Sequence, residues 1–198
     1  MDCSKREAIL NSIKEKYQKY SHTPADCFRY STGKPGLEAL GYDGGLLENL
    51  PGNILNYFCG VGNPFSLGPI NPGERVLDIG CGAGVDLLIA SQLVKPEGMV
   101  FGVDLTPEMV QLARRNIKEV AVQNAEVTEG ASEGLPYKDK SFNVVISNGV
   151  INLSLEKKKT FQEIFRVLKP GGRLQFADII VESSISQETL QGVDNWSD

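Results

Sequence analysis

The stretch RVLDIGCGAG (Arg75 to Gly84) constrains the fold of this chain more than any other. A short apolar run rich in β-branched residues ends in glycine, as a strand buried on both faces does. Val85, Leu88, Ile89 and Leu93 follow at helical spacing. Between them, Gly80 and Gly82 let the backbone adopt dihedrals closed to other residues and approach a ligand closely. The start of the helix offers free N–H groups and the positive end of its dipole, which suit a carboxylate or a phosphate. A glycine-rich turn carries this meaning only between a strand and a helix, which is its context here.

The same alternation continues downstream. MVFGVDL (Met99 to Leu105) reads as a second strand. Thr106 is placed to cap the next helix, with Pro107 in the first position, where a missing N–H costs nothing. That helix presents Met109, Leu112, Ala113, Ile117 and Val120 on one face. AEVTEG (Ala125 to Gly130) and FNVVISN (Phe142 to Asn148) are the third and fourth strands. A helix starts at Ser154 with Phe161, Ile164, Phe165 and Leu168 inward, and Lys169-Pro170-Gly171-Gly172 stops it. RLQFADIIV (Arg173 to Val181) is the fifth strand. Alternating strands and helices imply a parallel sheet covered on both faces.

The N-terminal third differs. Ser4 and Glu7 form an S-x-x-E capping pattern, and Ile9, Ile13, Tyr17 and Tyr20 make an apolar stripe, so residues 4–20 read as a helix. Ser21 to Asn71 is rich in Gly, Pro and Asn, with a short helix expected around Gly45 to Leu50. So long a stretch without regular elements reads as a functional cap or lid, with a partly disordered entry segment as the alternative. The chain thus divides into an N-terminal helix and cap (1–71) and a core (72–198).

A formal net charge of −5 argues against a nucleic-acid backbone as the main partner. Lys157-Lys158-Lys159 is short and reads as a solvated helix face. None of the four cysteines forms a C-x-x-C pair, and His22 stands alone, so neither a metal site nor a disulfide framework is expected. A reduced, cytoplasmic setting fits this usage. The opening MDCSKREAIL has no apolar signal core, and no apolar run is long enough to span a membrane.

Asp104 ends the second strand, where a carboxylate can accept hydrogen bonds from both hydroxyls of a ribose. Its bland alternative, a capping or turn aspartate, is less attractive because Thr106 already supplies a cap. VLDIGCGAG followed by GVDLT resembles the first two signature motifs of class I S-adenosylmethionine-dependent methyltransferases. GASEGLPYKDKSFNVVIS (Gly130 to Ser147) and FRVLKPGGRL (Phe165 to Leu174) resemble their later motifs, in the right order. The resemblance implies a Rossmann-like, doubly wound α/β fold, with S-adenosyl-L-methionine as cofactor. It implies that the loop Gly80, Cys81, Gly82 to Gly84 backs the methionine part, with Asp78 orienting its amino group. Asp104 would hold the ribose, and Leu105 and Met109 would flank the adenine. Ala131 and Ser132 stand where the family usually has an acidic residue, leaving backbone atoms at Ala131 to read the base. Asn148, Gly149 and Val150 would line the methyl-transfer cleft.

SNGVINLS (Ser147 to Ser154), GYDGGLLENLP and GVGNP (Gly60 to Pro64) resemble arsenite methyltransferases more specifically. Those enzymes hold trivalent arsenic through three thiolates. The matching positions here are Val61 and Gly149, with the third expected at or just past Asp198; Cys59 lies two residues from the first, and Cys27 matches an additional family cysteine. The expectation is therefore a relative acting on another small molecule, with arsenite methylation and a catalytically silent cofactor-binding domain as alternatives. After Val181 at most a short helix is expected, so the last two strands of the superfamily sheet are missing and the chain reads as a fragment or reduced variant. No general base is assigned. Tyr57 and Phe58 are candidates for facing a sulfonium, with core packing equally open. A nicotinamide oxidoreductase is disfavoured by the motif set, and a nucleic-acid methylase by Asn148-Gly149-Val150-Ile151 in place of an Asp/Asn-Pro-Pro-aromatic motif. The oligomeric state is left open.

Overall fold

The computed structural model describes residues 2–24 and 27–180. Five strands, β1 (Arg75–Ile79), β2 (Met99–Asp104), β3 (Ala125–Glu129), β4 (Phe142–Asn148) and β5 (Leu168–Ala177), form one parallel sheet in the order β3-β2-β1-β4-β5. The chain runs outward from β1 to β3, then returns to the other side of β1 for β4 and β5. That reversal opens a crevice beyond the carboxyl ends of β1 and β4, where open α/β sheets bind ligands.

Successive strand residues point to opposite faces, and both faces are buried. Val76, Val144 and Ile146 pack with Leu87, Leu88 and Val110. Those three come from α5 (Val85–Val94) and α6 (Pro107–Glu119). Leu77, Ile79, Val103 and Val145 pack on the opposite face with Ile164 and Val167 of α7 (Lys157–Val167). Each fully buried aliphatic or aromatic side chain contributes about 1.5–3 kcal/mol.

The N-terminal third is ordered in short pieces. α1 (Cys3–His22) buries Ile9, Ile13 and Tyr20 as the stripe anticipates. Then come α2 (Gly33–Ala39), α3 (Gly44–Leu47), α4 (Gly52–Leu55) and a 3-10 turn at Pro64–Leu67. Leu37, Leu47, Ile54, Leu55 and Phe58 join the same core as α5. Helices of four to seven residues are too short to leave a period, which is why this region looks featureless in sequence.

Several local expectations are corrected. Ser4 lies inside α1, and its hydroxyl donates to Asp2 at 2.7 Å instead of forming a capping box with Glu7. Thr106 occupies the N-cap position of α6 without a side-chain cap bond. α7 begins at Lys157 rather than Ser154, and its buried face is Thr160, Ile164 and Val167. Phe161 and Phe165 point outward, the latter 84% exposed. The buried Thr160 hydroxyl is matched by Ser132 at 3.1 Å and Ser154 at 2.9 Å, so a polar network outweighs the two rings on that face. Leu168 already pairs with Phe142, and Lys169–Gly172 loop out before Arg173 resumes the ladder opposite Val144. The expectations for the chain after Val181 fall outside the described residues.

Candidate cofactor cleft

A cavity of about 390 Å³ lies at the carboxyl ends of β1, β2 and β4. Its floor is the turn after β1. There Gly80 and Gly82 have φ of 70° and 51°, left-handed values that disfavour a side chain. A Cβ on Gly80 would come within 2.3 Å of Val150 Cγ2. Gly80→Ala combines that strain with the collision, which we expect to cost ~1–3 kcal/mol. Calorimetric melting is expected to show a Tm fall of several degrees, with cofactor affinity reduced as Val150 is displaced into the cleft.

The amides of the turn are bound internally. Gly80 and Cys81 N–H donate to Val103 O at 2.8 and 3.1 Å, and Gly82 N–H donates to Asp104 Oδ2 at 2.8 Å. Asp104 Oδ1 accepts from Thr106 N–H at 2.9 Å. The aspartate therefore plays the turn-bracing role that Thr106 was expected to make unnecessary. An ionised carboxylate has about four acceptor sites, and Asp104 lines the cavity, so a ligand hydroxyl can share it with these N–H groups. Burial raises its pKa, opposed by the Thr106 and Gly82 N–H groups.

Behind the turn lies a more costly carboxylate. Asp78 is 2% exposed, and its Oδ2 has no hydrogen-bond partner. Burial pushes its pKa well up, and the charges of Asp86 and Asp104 push it further, while the Leu87 N–H acts the other way. The N-terminus of α5 thus faces the chain's own aspartate. Asp86, in the first turn of α5, accepts from Tyr42 and Asn148, and burial places its pKa at about 6.

The sequence-derived candidates separate into two groups. Gly80, Gly82, Asp104, Leu105, Ala131, Ser132, Asn148, Gly149 and Val150 line the cavity together. Asp78, Cys81, Gly84 and Met109 lie behind this lining. Cys81 is buried against β2, where a Cβ on Gly102 would meet its Sγ at 2.7 Å. Met109 is 1% exposed and packs with Tyr20, Ala83 and Leu112. Gly84 caps α5 at φ 85° beside Ala113. The Asn148 carboxamide oxygen accepts from Val61 and Gly62 N–H at 2.8 and 3.1 Å. Tyr57 and Phe58 belong to packing clusters rather than to the cavity lining.

Residues the motifs did not flag complete the walls. Arg6, Leu10, Ile13 and Tyr17 of α1 cover one side. Arg6 bridges across to Glu156 at 2.8 Å, and Gln18 donates to Glu108 of α6 at 2.8 Å. Cys59, Glu133, Leu153, Ser154 and Lys159 also line the space. Glu133 accepts from Ser154 at 2.6 Å and Ser132 at 3.2 Å. Burial raises the Tyr17 phenol and lifts the Cys59 thiol to about 12. The spacing of Leu10, Ile13 and Tyr17 on one helix face was the available signal for α1; nothing local marks Glu133. Among the described residues no cluster of three or more His, Cys, Asp or Glu could hold a metal, and no helix is long and apolar enough to cross a membrane. Cys27, Cys59 and Cys81 are free thiols.

Residues 70–197 match the model of a methyltransferase domain family. An arsenite methyltransferase of Halobacterium salinarum is 43% identical over 154 residues, covering 78% of this chain and 39% of that protein. A demethylmenaquinone methyltransferase of Lactococcus lactis is 37% identical over 102 residues, covering 52% of the chain and 40% of that protein. The crystal structure of an arsenic(III) S-adenosylmethionine methyltransferase from Chlamydomonas reinhardtii aligns with TM-score 0.66 and 34% identity, covering 78% of this chain and 52% of that one. The chain therefore spans about two fifths to half of the length of these proteins.

Proposed function

Because the chain belongs to the methyltransferase domain family, we propose that this cleft binds S-adenosyl-L-methionine and serves methyl transfer to a small nucleophile. The observation that carries this reading is the Asp104 carboxylate, held by Gly82 and Thr106 N–H at the rim of a glycine-floored cavity. Such a group suits a ribose diol. The unpartnered Asp78 oxygen fits the same ligand, since a buried carboxylate behind the floor favours a nearby ammonium and positive sulfur. S-adenosylmethionine would supply a methyl group already activated by its sulfonium. Gly80 and Gly82 would back the methionine part, Leu105 would flank the adenine, and Ala131 and Ser132 would border it. Met109 supports Leu112 and Ala83 from behind rather than touching the base.

The chain's own contribution is positioning and exclusion of water. Holding reactants in line can supply roughly 7–11 kcal/mol of rate acceleration. The α1 stripe of Leu10, Ile13 and Tyr17 forms an apolar wall of the cleft. Tyr17 and Cys59 are both held protonated by burial, so neither is a base at neutral pH. The acceptor is therefore a group that is nucleophilic without losing a proton to them. Arsenite remains the second reading, favoured by the Cys59 thiol in the cleft. Against it, two of the family's three thiol positions are Val61 and Gly149, Cys59 lying two residues from the first; those two face each other, since a Cβ on Gly149 would lie 3.3 Å from Val61 Cγ1. We place the reaction in the cytoplasm, with no nucleic acid as partner.

The test is to incubate the chain with S-adenosylmethionine, a thiol reductant and, separately, arsenite, small thiols, amines and a quinol, measuring S-adenosylhomocysteine. Acceptor-dependent product is expected with at least one small nucleophile, and methylarsenic at no more than background. Binding without product on any acceptor would favour a silent domain.

Cofactor affinity should also depend on pH. The three carboxylates around the turn have raised pKa values, that of Asp86 about 6. Their attraction for a cationic ligand is present above those values and lost as pH falls through them. Calorimetry between about pH 8 and pH 5 should show weaker binding at the acid end, with proton release on binding near the Asp86 value.

A further inference from the structure

The acceptor side of the cleft is held by a hydrogen-bond network that joins α5, Tyr42 and the turn after β4. Asp86 of α5 accepts the Tyr42 hydroxyl at 2.8 Å on Oδ1 and Asn148 Nδ2 at 3.0 Å on Oδ2. The same Nδ2 donates to Gly62 O at 2.8 Å, and Asn148 Oδ1 accepts from Val61 and Gly62 N–H. The segment Gly60–Gly62 fits closely against this side chain: a Cβ on Gly60 would meet Asn148 Nδ2 at 2.2 Å, and one on Gly62 would meet Ala177 Cβ at 2.5 Å. Val61 in turn lies over Gly149, which lines the cleft.

The Tyr42 hydroxyl also lies 3.1 Å from Gly62 O and 3.0 Å from Asn148 Nδ2, so it can donate either to Asp86 or to Gly62. The Tyr42 hydroxyl brings one hydrogen and the Asn148 amide two. They meet three acceptors, both Asp86 oxygens and Gly62 O. An acceptor-only carboxylate satisfies every group. A neutral acid or an amide at Asp86 forces the Tyr42 hydroxyl to turn to Gly62 O and replaces charge-assisted bonds by weaker neutral ones.

We propose that Asp86 is a positioning residue, which through Tyr42 and Asn148 holds Gly60–Gly62 against the Asn148–Gly149 turn and so sets the acceptor wall. The proposal rests on the reading of the cleft given above only in calling that wall the acceptor's. The titratable groups facing Asp86 are Tyr42 from the cap, Asp78 from β1 and Cys59 ahead of Gly60. Tyr42 is a phenol driven far above neutral pH, and Cys59 stays a thiol, while burial places Asp86 at about 6 and also raises its neighbour Asp78.

Amide hydrogen exchange on the ligand-free chain tests this. Val61 and Gly62 should be protected near neutral pH and lose about tenfold protection or more, after correction for intrinsic exchange, as pH falls through about 6. In Asp86→Asn their protection should already be low at neutral pH and show no titration, with β1 and β2 amides unchanged. Should that variant fail to fold, Tyr42→Phe removes the hydroxyl's contacts with Asp86, Gly62 O and Asn148 and should lower the same two amides selectively. Protection of Val61 and Gly62 that is unchanged in a folded variant, or that titrates equally in Asp86→Asn, would overturn the proposal. No cofactor enters the measurement, so its failure leaves the cofactor reading standing, and the reverse also holds.

Discussion

Asp104→Ala should reduce S-adenosylmethionine affinity by about 30- to 1000-fold, equivalent to ~2–4 kcal/mol. The carboxylate does two jobs. It braces Gly82 and Thr106 N–H, and it lines the cavity, where a ligand hydroxyl can share it. Alanine loses the ligand contacts and also leaves two partly buried amides without a partner, so the turn loosens as well. Asp104→Asn separates these jobs. Its oxygen can still serve one amide, while its NH2 meets the other as donor against donor, so an intermediate loss is expected. Isothermal calorimetry on all three proteins decides it. Affinity for Asp104→Ala within twofold of the parent would remove the aspartate from the site.

Asp78→Asn should move stability and binding in opposite directions. Burial and the two neighbouring carboxylates raise the Asp78 pKa in the folded chain. A carboxyl whose folded pKa is raised stabilises the fold only at low pH. That contribution is fully present below the unfolded pKa and is lost as pH rises through the folded one, so at neutral pH the buried carboxyl is a net cost. The isosteric amide relieves repulsion from Asp86 and Asp104 and keeps an oxygen for the Leu87 N–H. The free protein should gain ~1–3 kcal/mol, a Tm increase of roughly 3–10 °C for a domain of this size. The negative potential behind the floor falls at the same time, and affinity for the cationic cofactor should drop by about tenfold or more. Carboxylates kept at a stability cost belong to function. A lower Tm together with unchanged binding would mean that Asp78 is a structural group.

The regular part of the fold was legible because its strands are buried on both faces and its turns carry glycine. The predicted limits of FNVVISN coincide with β4, and β1 to β3 differ from expectation only by a terminal residue. Where the reading failed, a polar contact had overridden an apolar pattern. Thr160 is buried because Ser132 and Ser154 satisfy its hydroxyl, which turns Phe161 and Phe165 out. Asp104, not the Thr106 hydroxyl, bonds the backbone at the start of α6. The motif residues of the cleft were visible in sequence as positions but not as directions. Asn148 lines the cleft as expected, but the hydrogen bonds of its carboxamide to Val61 and Gly62 had no signal in the sequence. Leu10, Ile13, Tyr17 and Cys59 reach the site from elements far away in the chain, and no local signal in a single sequence joins them to Asp104.

The most direct test of the cofactor assignment is titration of the chain with S-adenosylmethionine, S-adenosylhomocysteine and a nicotinamide dinucleotide by calorimetry at pH near 8. The account predicts one site for each of the first two, lost in Asp104→Ala, and no binding of the dinucleotide. Binding of the dinucleotide instead, or S-adenosylmethionine binding that survives Asp104→Ala intact, would contradict it.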